Sequence, residues 1–379
     1  MVMSLMVMMS LLVGVPGGMG CNGKNGAKRE VRHGGDEKPF VAPDGRNGAQ
    51  AAGGELARGK ALLKRDNPTA ALKLFERYSA RRPQDARGHY YRAVCLQRLN
   101  RPRAAVTALR KAVDRKPDFP EKYNNLAGLL IVSKQLAEAV RVLESAVQKF
   151  TSEQSLFYNL GLARLRAGRY GAAAKALDRA AALDPTDGQS RMAAGICYLK
   201  QDQAPEALKR FLDAVRVAPA LAGAHEGAAT ILLEQGKLEQ ALVHAKKAVQ
   251  LSPANPARHY LLGMVQLEAA RGAKAARAFA EAARRSPKNP KIQMRWGHAL
   301  GLAGKLSEAL AKLKQATALA GEKNKVRLQI ALIRGKVLAA AGRCRRARKA
   351  FARARKISAL SSAQNKTVQS TLKRCVKKR

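Results

Sequence analysis

Six histidines, five cysteines and 27 carboxylates are the residues of this chain that could serve as nucleophile, metal ligand or general acid, and their spacing decides whether they do. No HExxH, CxxC or GxSxG combination occurs. His89, His225 and His259 are separated by whole multiples of 34 residues, so they recur with the chain and do not converge on a metal. Stacked helix pairs lie about 10 Å apart, too far for His225 and His259 to share a zinc with bonds near 2.1 Å. The run Gly54-Glu55-Leu56-Ala57-Arg58-Gly59-Lys60-Ala61 comes close to a phosphate-binding loop, but Ala61 stands where a hydroxyl would hold magnesium, and no strand precedes it. Carboxylates are sparse and scattered, which leaves paired acid–base chemistry without a site. The expectation is a protein that is not an enzyme, with no catalytic residue, no metal and no cofactor.

The elements that carry these residues are helices. The 379 residues are 46% hydrophobic but only 4% aromatic, which excludes disorder throughout and points to cores of Ala, Leu and Val in close-packed helices rather than to an all-β fold. Pro83, Pro117, Pro185, Pro219, Pro253 and Pro287 stand at intervals of 34 or 68 residues, with Thr151 filling the gap. In the same phase run Gly59, Ala93, Ala127, Gly161, Gly195, Ala229, Gly263 and Gly297, and a third column holds Ala71, Ala105, Ala139, Ala173, Ala207, Ala241, Ala275 and Ala309. Small residues recur where backbones touch. Between them large apolar residues return every three or four positions, as in Leu126, Leu129, Leu130 and then Val140, Leu143, Val147, which is helix periodicity. Each unit is therefore two helices, broken at Gly168, Gly236, Gly304 and Gly342, or at Asp66, Asn100 and Asp202, types that tolerate a left-handed backbone.

A 34-residue helix–turn–helix unit with these small columns and a proline after the second helix resembles the tetratricopeptide repeat. Eight repeats begin near residues 52, 86, 120, 154, 188, 222, 256 and 290, and a ninth follows a four-residue slip around Gly321 to Lys325. The resemblance implies an all-α fold, an α-solenoid of about nine repeats in a right-handed superhelix, with residues 361–377 as a C-terminal capping helix. It also implies a concave groove lined by the first helix of each repeat, where a protein or peptide partner would lie. One groove-facing column reads Leu56, Tyr90, Asn124, Tyr158, Met192, Glu226, Tyr260, Met294, in which Tyr and Met are adaptable anchors and Asn124 can grip a peptide backbone. Tyr90, Asn124, Tyr158, Met192, Tyr260 and Met294 are thus the candidate contacts, the alternative being that some of them pack against neighbouring helices. The paired Lys and Asn with which chaperone-tail-binding repeats hold a carboxylate are missing from the matching positions.

Charge and cysteines complete the reading. Lys and Arg number 71 against 27 Asp and Glu, a formal charge of +44. After Glu322 no acid occurs, and the last repeat gathers Arg343, Arg345, Arg346, Arg348, Lys349, Arg353 and Arg355. This block is either a solvated face or a surface for an anionic partner such as lipopolysaccharide, acidic phospholipid, nucleic acid or an acidic protein. Aromatics are too sparse for single-stranded nucleic acid to be the favoured partner. Cys344 and Cys375 are centred on about residue 359.5, inside the short turn of an antiparallel helix pair, so they fall side by side and can form a disulfide if the protein is exported. Cys95 and Cys197 stand three repeats apart in one column and read as buried thiols.

Residues 1–21 form an uncharged apolar run ending Gly20-Cys21, which resembles a lipoprotein signal whose Cys21 becomes lipidated. Residues 22–54 read as a flexible tether, residues 55–360 as the repeat array, and residues 361–379 as a basic cap and tail. The combination predicts an exported, lipid-anchored scaffold in the cell envelope, at the outer membrane facing the periplasm, engaged in envelope assembly, secretion or pilus biogenesis. The alternative is a cytoplasmic binder of a polyanion or nucleic acid acting through its basic surface.

Overall fold

A computed structural model describes residues 46–377, and Cys21 and the rest of residues 1–45 lie outside that range. Nineteen helices and no strand occur among the described residues. Two compact units divide the chain after Pro185. The first holds α1 (Arg46–Lys64), α2 (Pro68–Arg81), α3 (Ala86–Arg98), α4 (Pro102–Val113), α5 (Pro120–Val132), α6 (Leu136–Lys149), α7 (Gln154–Arg166) and α8 (Tyr170–Leu183). The second holds α9 (Gly188–Lys200), α10 (Ala204–Val217), α11 (Ala222–Glu234), α12 (Leu238–Leu251), α13 (Pro256–Glu268), α14 (Gly272–Arg285), α15 (Pro290–Leu302), α16 (Leu306–Ala320), α17 (Asn324–Ala340), α18 (Cys344–Ile357) and α19 (Ser362–Lys377). Within each unit consecutive helices pair and stack, the α-solenoid arrangement. No helix among the described residues is long and apolar enough to cross a membrane.

Helix α1 begins at Arg46, inside the segment 22–54 read as a tether. Ala49, Gln50, Ala51 and Ala52 are strong helix formers, and the start of the repeat at Leu56 and Gly59 gives their helix something to extend from.

Every break inside a helix pair is built the same way. The second residue after the first helix turns left-handed, with φ of 56° at Asn100 and 75° at Gly168. The following N–H then reaches back five residues, as from Arg101 to the Leu96 carbonyl (2.8 Å), from Arg271 to Gln266 (2.8 Å) and from Arg343 to Leu338 (2.9 Å). That bond satisfies a carbonyl the helix end would otherwise leave open. Lys134 (φ 62°) and Ala270 (φ 56°) take this conformation too, although neither type favours it.

The pairs close on their small columns. All eight alanines from Ala71 to Ala309 are fully buried. A Cβ on Gly263 would lie 2.7 Å from the Phe279 ring, and one on Gly297 would lie 2.8 Å from Leu313. The second helix packs its large residue against the space the glycine leaves.

The last helix caps the array. Ser361 and Gln364 bond reciprocally at its start, the Ser361 N–H donating to Gln364 Oε1 (2.9 Å) and the Gln364 N–H to Ser361 Oγ (3.3 Å). Val368 and Cys375 are buried on its inner face. Cys375 is joined to Cys344 by a disulfide, with Cα atoms 5.7 Å apart. Cys95 and Cys197 are buried thiols, and burial pushes Cys95 up to about 12. In the chain-entropy model the loop closed by the bridge is worth about 3 to 4 kcal/mol. Reducing it, or replacing Cys375 by Ser, should therefore strip amide-exchange protection from α19 while α9–α16 keep theirs. Uniform loss across the second unit would show that the bond holds the whole unit, and no loss would show that α19 is held by packing alone.

Candidate binding face

The first helices of the first unit carry an aromatic and amide face. Tyr90 of α3 meets Phe119 edge-on at 5.1 Å and Tyr91 at 5.1 Å, and Tyr91 stacks on Phe75 at 5.2 Å. Lys60 Nζ sits 5.0 Å over the Tyr91 ring, a cation–π contact that fixes the rim of the face. From this cluster a ladder of side-chain amides climbs through α5 and α7. Asn125 Nδ2 donates to the Tyr90 hydroxyl (3.2 Å), and Asn159 Nδ2 donates to Asn124 Oδ1 (2.8 Å). Asn124 Nδ2 donates to Ser155 Oγ (2.7 Å), which donates in turn to Glu153 Oε1 (2.8 Å). Tyr90, Asn124, Asn125, Tyr158 and Asn159 are all half-buried.

Asn124 sits at the centre of this ladder. Its amide donates to Ser155 and accepts from Asn159, so both ends of the side chain are tied into the ladder. Asn125 and Asn159 each donate once to the ladder, and neither side-chain carbonyl has a protein partner among the described residues. The sequence signal was present. Positions 125 and 159 are 34 apart, one step beyond the column that was chosen.

The same column turns inward in the second unit. Met192, Tyr260 and Met294 retain 3%, 8% and 2% of their accessible surface, so they are core residues rather than groove anchors. Tyr260 sets its ring edge-on to Phe279 at 5.6 Å, and burial pushes its phenol pKa up while its hydrogen bond with Arg295 pulls the other way. Glu226, between them in the column, is fully buried and holds Arg258 of the next repeat at 3.1 Å. Tyr260 is covered by Phe279 of its own helix pair and Arg295 of the next, and Glu226 by Arg258, partners that a list of residue types does not reveal.

The histidine column is structural. His89, His225 and His259 direct Nε2 at the carbonyls of Pro83, Pro219 and Pro253, at 3.0, 3.2 and 2.8 Å. A carbonyl can only accept, so Nε2 carries the proton in each. Gln293 does the same for Pro287 (3.1 Å). No group of three or more potential metal ligands occurs among the described residues. Fully buried Lys122 is likewise a cap: it donates to the carbonyls of Ala112 (3.1 Å) and Arg115 (2.6 Å), and its hydrogen bond to Asp118 pulls that carboxyl down to about 2. Arg343, Arg345, Arg346, Arg348, Lys349, Arg353 and Arg355 are all exposed at or along α18, with no ion-pair partner among the described residues.

Family models described as the tetratricopeptide repeat match residues 56–120, 96–155, 126–188, 158–221 and 192–256, and a second such model matches 232–295. Among solved structures, the C-terminal part of a TPR repeat-containing protein from Cytophaga hutchinsonii is 16% identical, covering 62% of this chain and 97% of that one with a TM-score of 0.51. A tetratricopeptide repeat protein from Parabacteroides merdae is 15% identical over 66% of this chain and 99% of that one, with a TM-score of 0.47. YrrB, described as a TPR protein with an unusual peptide-binding site, is 19% identical over 47% and 91%, with a TM-score of 0.43. No curated protein sequence matches the chain.

The two units predict opposite responses to truncation. Tyr260→Ala and Met294→Ala should each lower stability by about 2 to 5 kcal/mol, the range for emptying a core site. Asn159→Ala, at a half-buried amide, should cost no more than about 1 kcal/mol. Chemical denaturation followed by circular dichroism measures all three, and a stable Tyr260→Ala variant would return that residue to the binding surface.

Proposed function

The chain belongs to the tetratricopeptide repeat family, and from that premise we propose that it is a non-enzymatic scaffold holding a partner polypeptide on the face of α3, α5 and α7. Proteins of this family are generally protein-interaction scaffolds. The observation that carries the reading is the amide ladder. Asn125 and Asn159 stand one repeat apart, about 10 Å, the span of roughly three residues of extended chain. A side-chain amide both donates and accepts, so each can meet one backbone amide of a strand laid across the repeats. The Tyr90 cluster supplies apolar area beside them.

Export rests on the N-terminal run into Cys21, and the proposal places the array at the envelope, tethered by a lipidated cysteine. A second reading is favoured by one observation, the row of exposed and unpaired cations on α18: binding of a polyanion in the cytoplasm. Sedimentation with the outer membrane supports the first reading. Salt-sensitive retention on DNA from a soluble fraction supports the second.

A photo-crosslinking amino acid at Tyr158 should trap a discrete polypeptide in cells. Asn125→Ala with Asn159→Ala should cut its yield about tenfold or more, since two hydrogen bonds of about 1 kcal/mol each are lost. Unchanged capture would remove the ladder from the site. Separately, Cys21→Ser should abolish labelling by a fatty-acid analogue and release the protein from membranes. Equal labelling of both forms would rule out a lipid on Cys21.

A further inference from the structure

At the C-terminal end of the second unit a cavity of about 290 Å³ opens between α15, α17, Phe351 of α18 and the capping helix. That is near the lower limit for pockets that hold small organic molecules. Met294, Ile333, Phe351 and Val368 give it buried apolar walls. Arg295 and Lys336 are the only ionisable groups in its lining. Neither has a carboxylate partner among the described residues, and the sequence carries no acid after Glu322 to supply one. Arg295 Nε is moreover buried without a hydrogen-bond acceptor. The half-buried guanidinium bonds the Tyr260 hydroxyl, a neutral partner, and has no anionic one, so a cation stands beside apolar walls where an anion can reach it.

The polar part of the lining argues for the kind of anion. Gln364 Oε1 already accepts from the Ser361 N–H, and Thr367 Oγ1 donates to the Ala363 carbonyl (2.9 Å). Both serve the cap helix itself. A polypeptide backbone would need a partner for each of its amides and would find few here. A molecule with one anionic group and an apolar body needs only the two cations and the walls. We propose that this cavity binds a small amphiphilic carboxylate, a medium-chain aliphatic acid, with its carboxylate between Arg295 and Lys336 and its chain against Phe351, Leu332 and Val368. The site lies apart from the amide ladder and does not depend on it.

His298, on α15 beside the cavity, reports on the same field. Burial first, and then Arg295 on its own helix and Lys336 on α17, push its pKa down to about 4. Its Nδ1 is buried without a partner. A carboxylate between the two cations cancels the part of that shift they cause, so the His298 midpoint rises on binding while burial still holds it below the ordinary value.

The test uses the full chain, with decanoate as the probe and decanol as its uncharged counterpart. Calorimetry should show one saturable decanoate site, with decanol at least tenfold weaker. Lys336 is exposed, so Lys336→Gln should leave the helical circular dichroism intact and weaken decanoate several-fold, and adding Arg295→Gln should weaken it tenfold or more. Arg295→Lys, which keeps the charge, should retain most of the affinity. Proton NMR should show the His298 midpoint rise when decanoate saturates the site. The proposal is overturned by the absence of saturable binding, by decanol binding as well as decanoate, by an affinity indifferent to Lys336→Gln, or by a short peptide with a free C-terminus binding this cavity in preference to the fatty acid.

Discussion

Helix pairs in this protein depend on one steric constraint: the first helix must leave room for the side chain sixteen residues further on. Gly195 faces Phe211, Gly263 faces Phe279 and Gly297 faces Leu313, each so close that an added methyl carbon would meet the partner at 3.0 Å or less. Where the column holds alanine, the partner is Leu109 for Ala93, Leu143 for Ala127 and Ala245 for Ala229, so no aromatic ring faces an alanine. The largest partners, the Phe rings, thus fall only opposite glycine, where a ring can lie against the helix backbone. The break between the helices takes one form in every pair, and the chain adopts it at Lys134 and Ala270 even though their side chains resist it. Packing of the pair outweighs a local cost of about 1 to 2 kcal/mol at each.

The constraint also assigns the polar residues their work. A proline follows the second helix, and its carbonyl is met by a side chain six residues on, a histidine in three repeats and Gln293 in another. At the corresponding turn before α5, Lys122 performs the service from one position earlier, bonding Pro117 at 3.3 Å together with two further carbonyls. Different residue types converge on one duty because every turn exposes the same acceptor. Chemistry-bearing side chains are therefore used up in closing the backbone, which is why a histidine column at regular spacing marks structure and not a metal.

Fold and function were legible to different degrees for a physical reason. Repeat length, the left-handed breaks at Asn100 or Gly168, and the fall of Cys344 beside Cys375 all follow from periodicity, and periodicity is a property of the sequence. Exposure is not. Whether Tyr158 is half-open while Tyr260 is shut depends on what other helices lay over each, and the covering residues, Phe279 of the paired helix at one edge and Arg295 of the next pair at the hydroxyl, lie 19 and 35 positions away. Asn124 could be named but its role could not, since the two side chains that occupy it, Ser155 and Asn159, belong to the next repeat.

One column thus serves two ends. In the first unit it is lined by amides and phenols that bond to one another and stay wet. In the second it is filled by methionine, tyrosine and a buried Glu226–Arg258 pair, which leaves it little surface for a polypeptide. A buried ion pair between adjacent repeats stabilises little beyond what an apolar pair would, but it demands that the two repeats meet in one register, because a slip leaves a charge alone in the core. Adaptable recognition therefore belongs to the first unit. The second unit opens at its C-terminal end, where a cap with few apolar residues of its own covers the last repeat. The cavity there is a consequence of ending a repeat array with a single helix: half of a repeat covers half of the face.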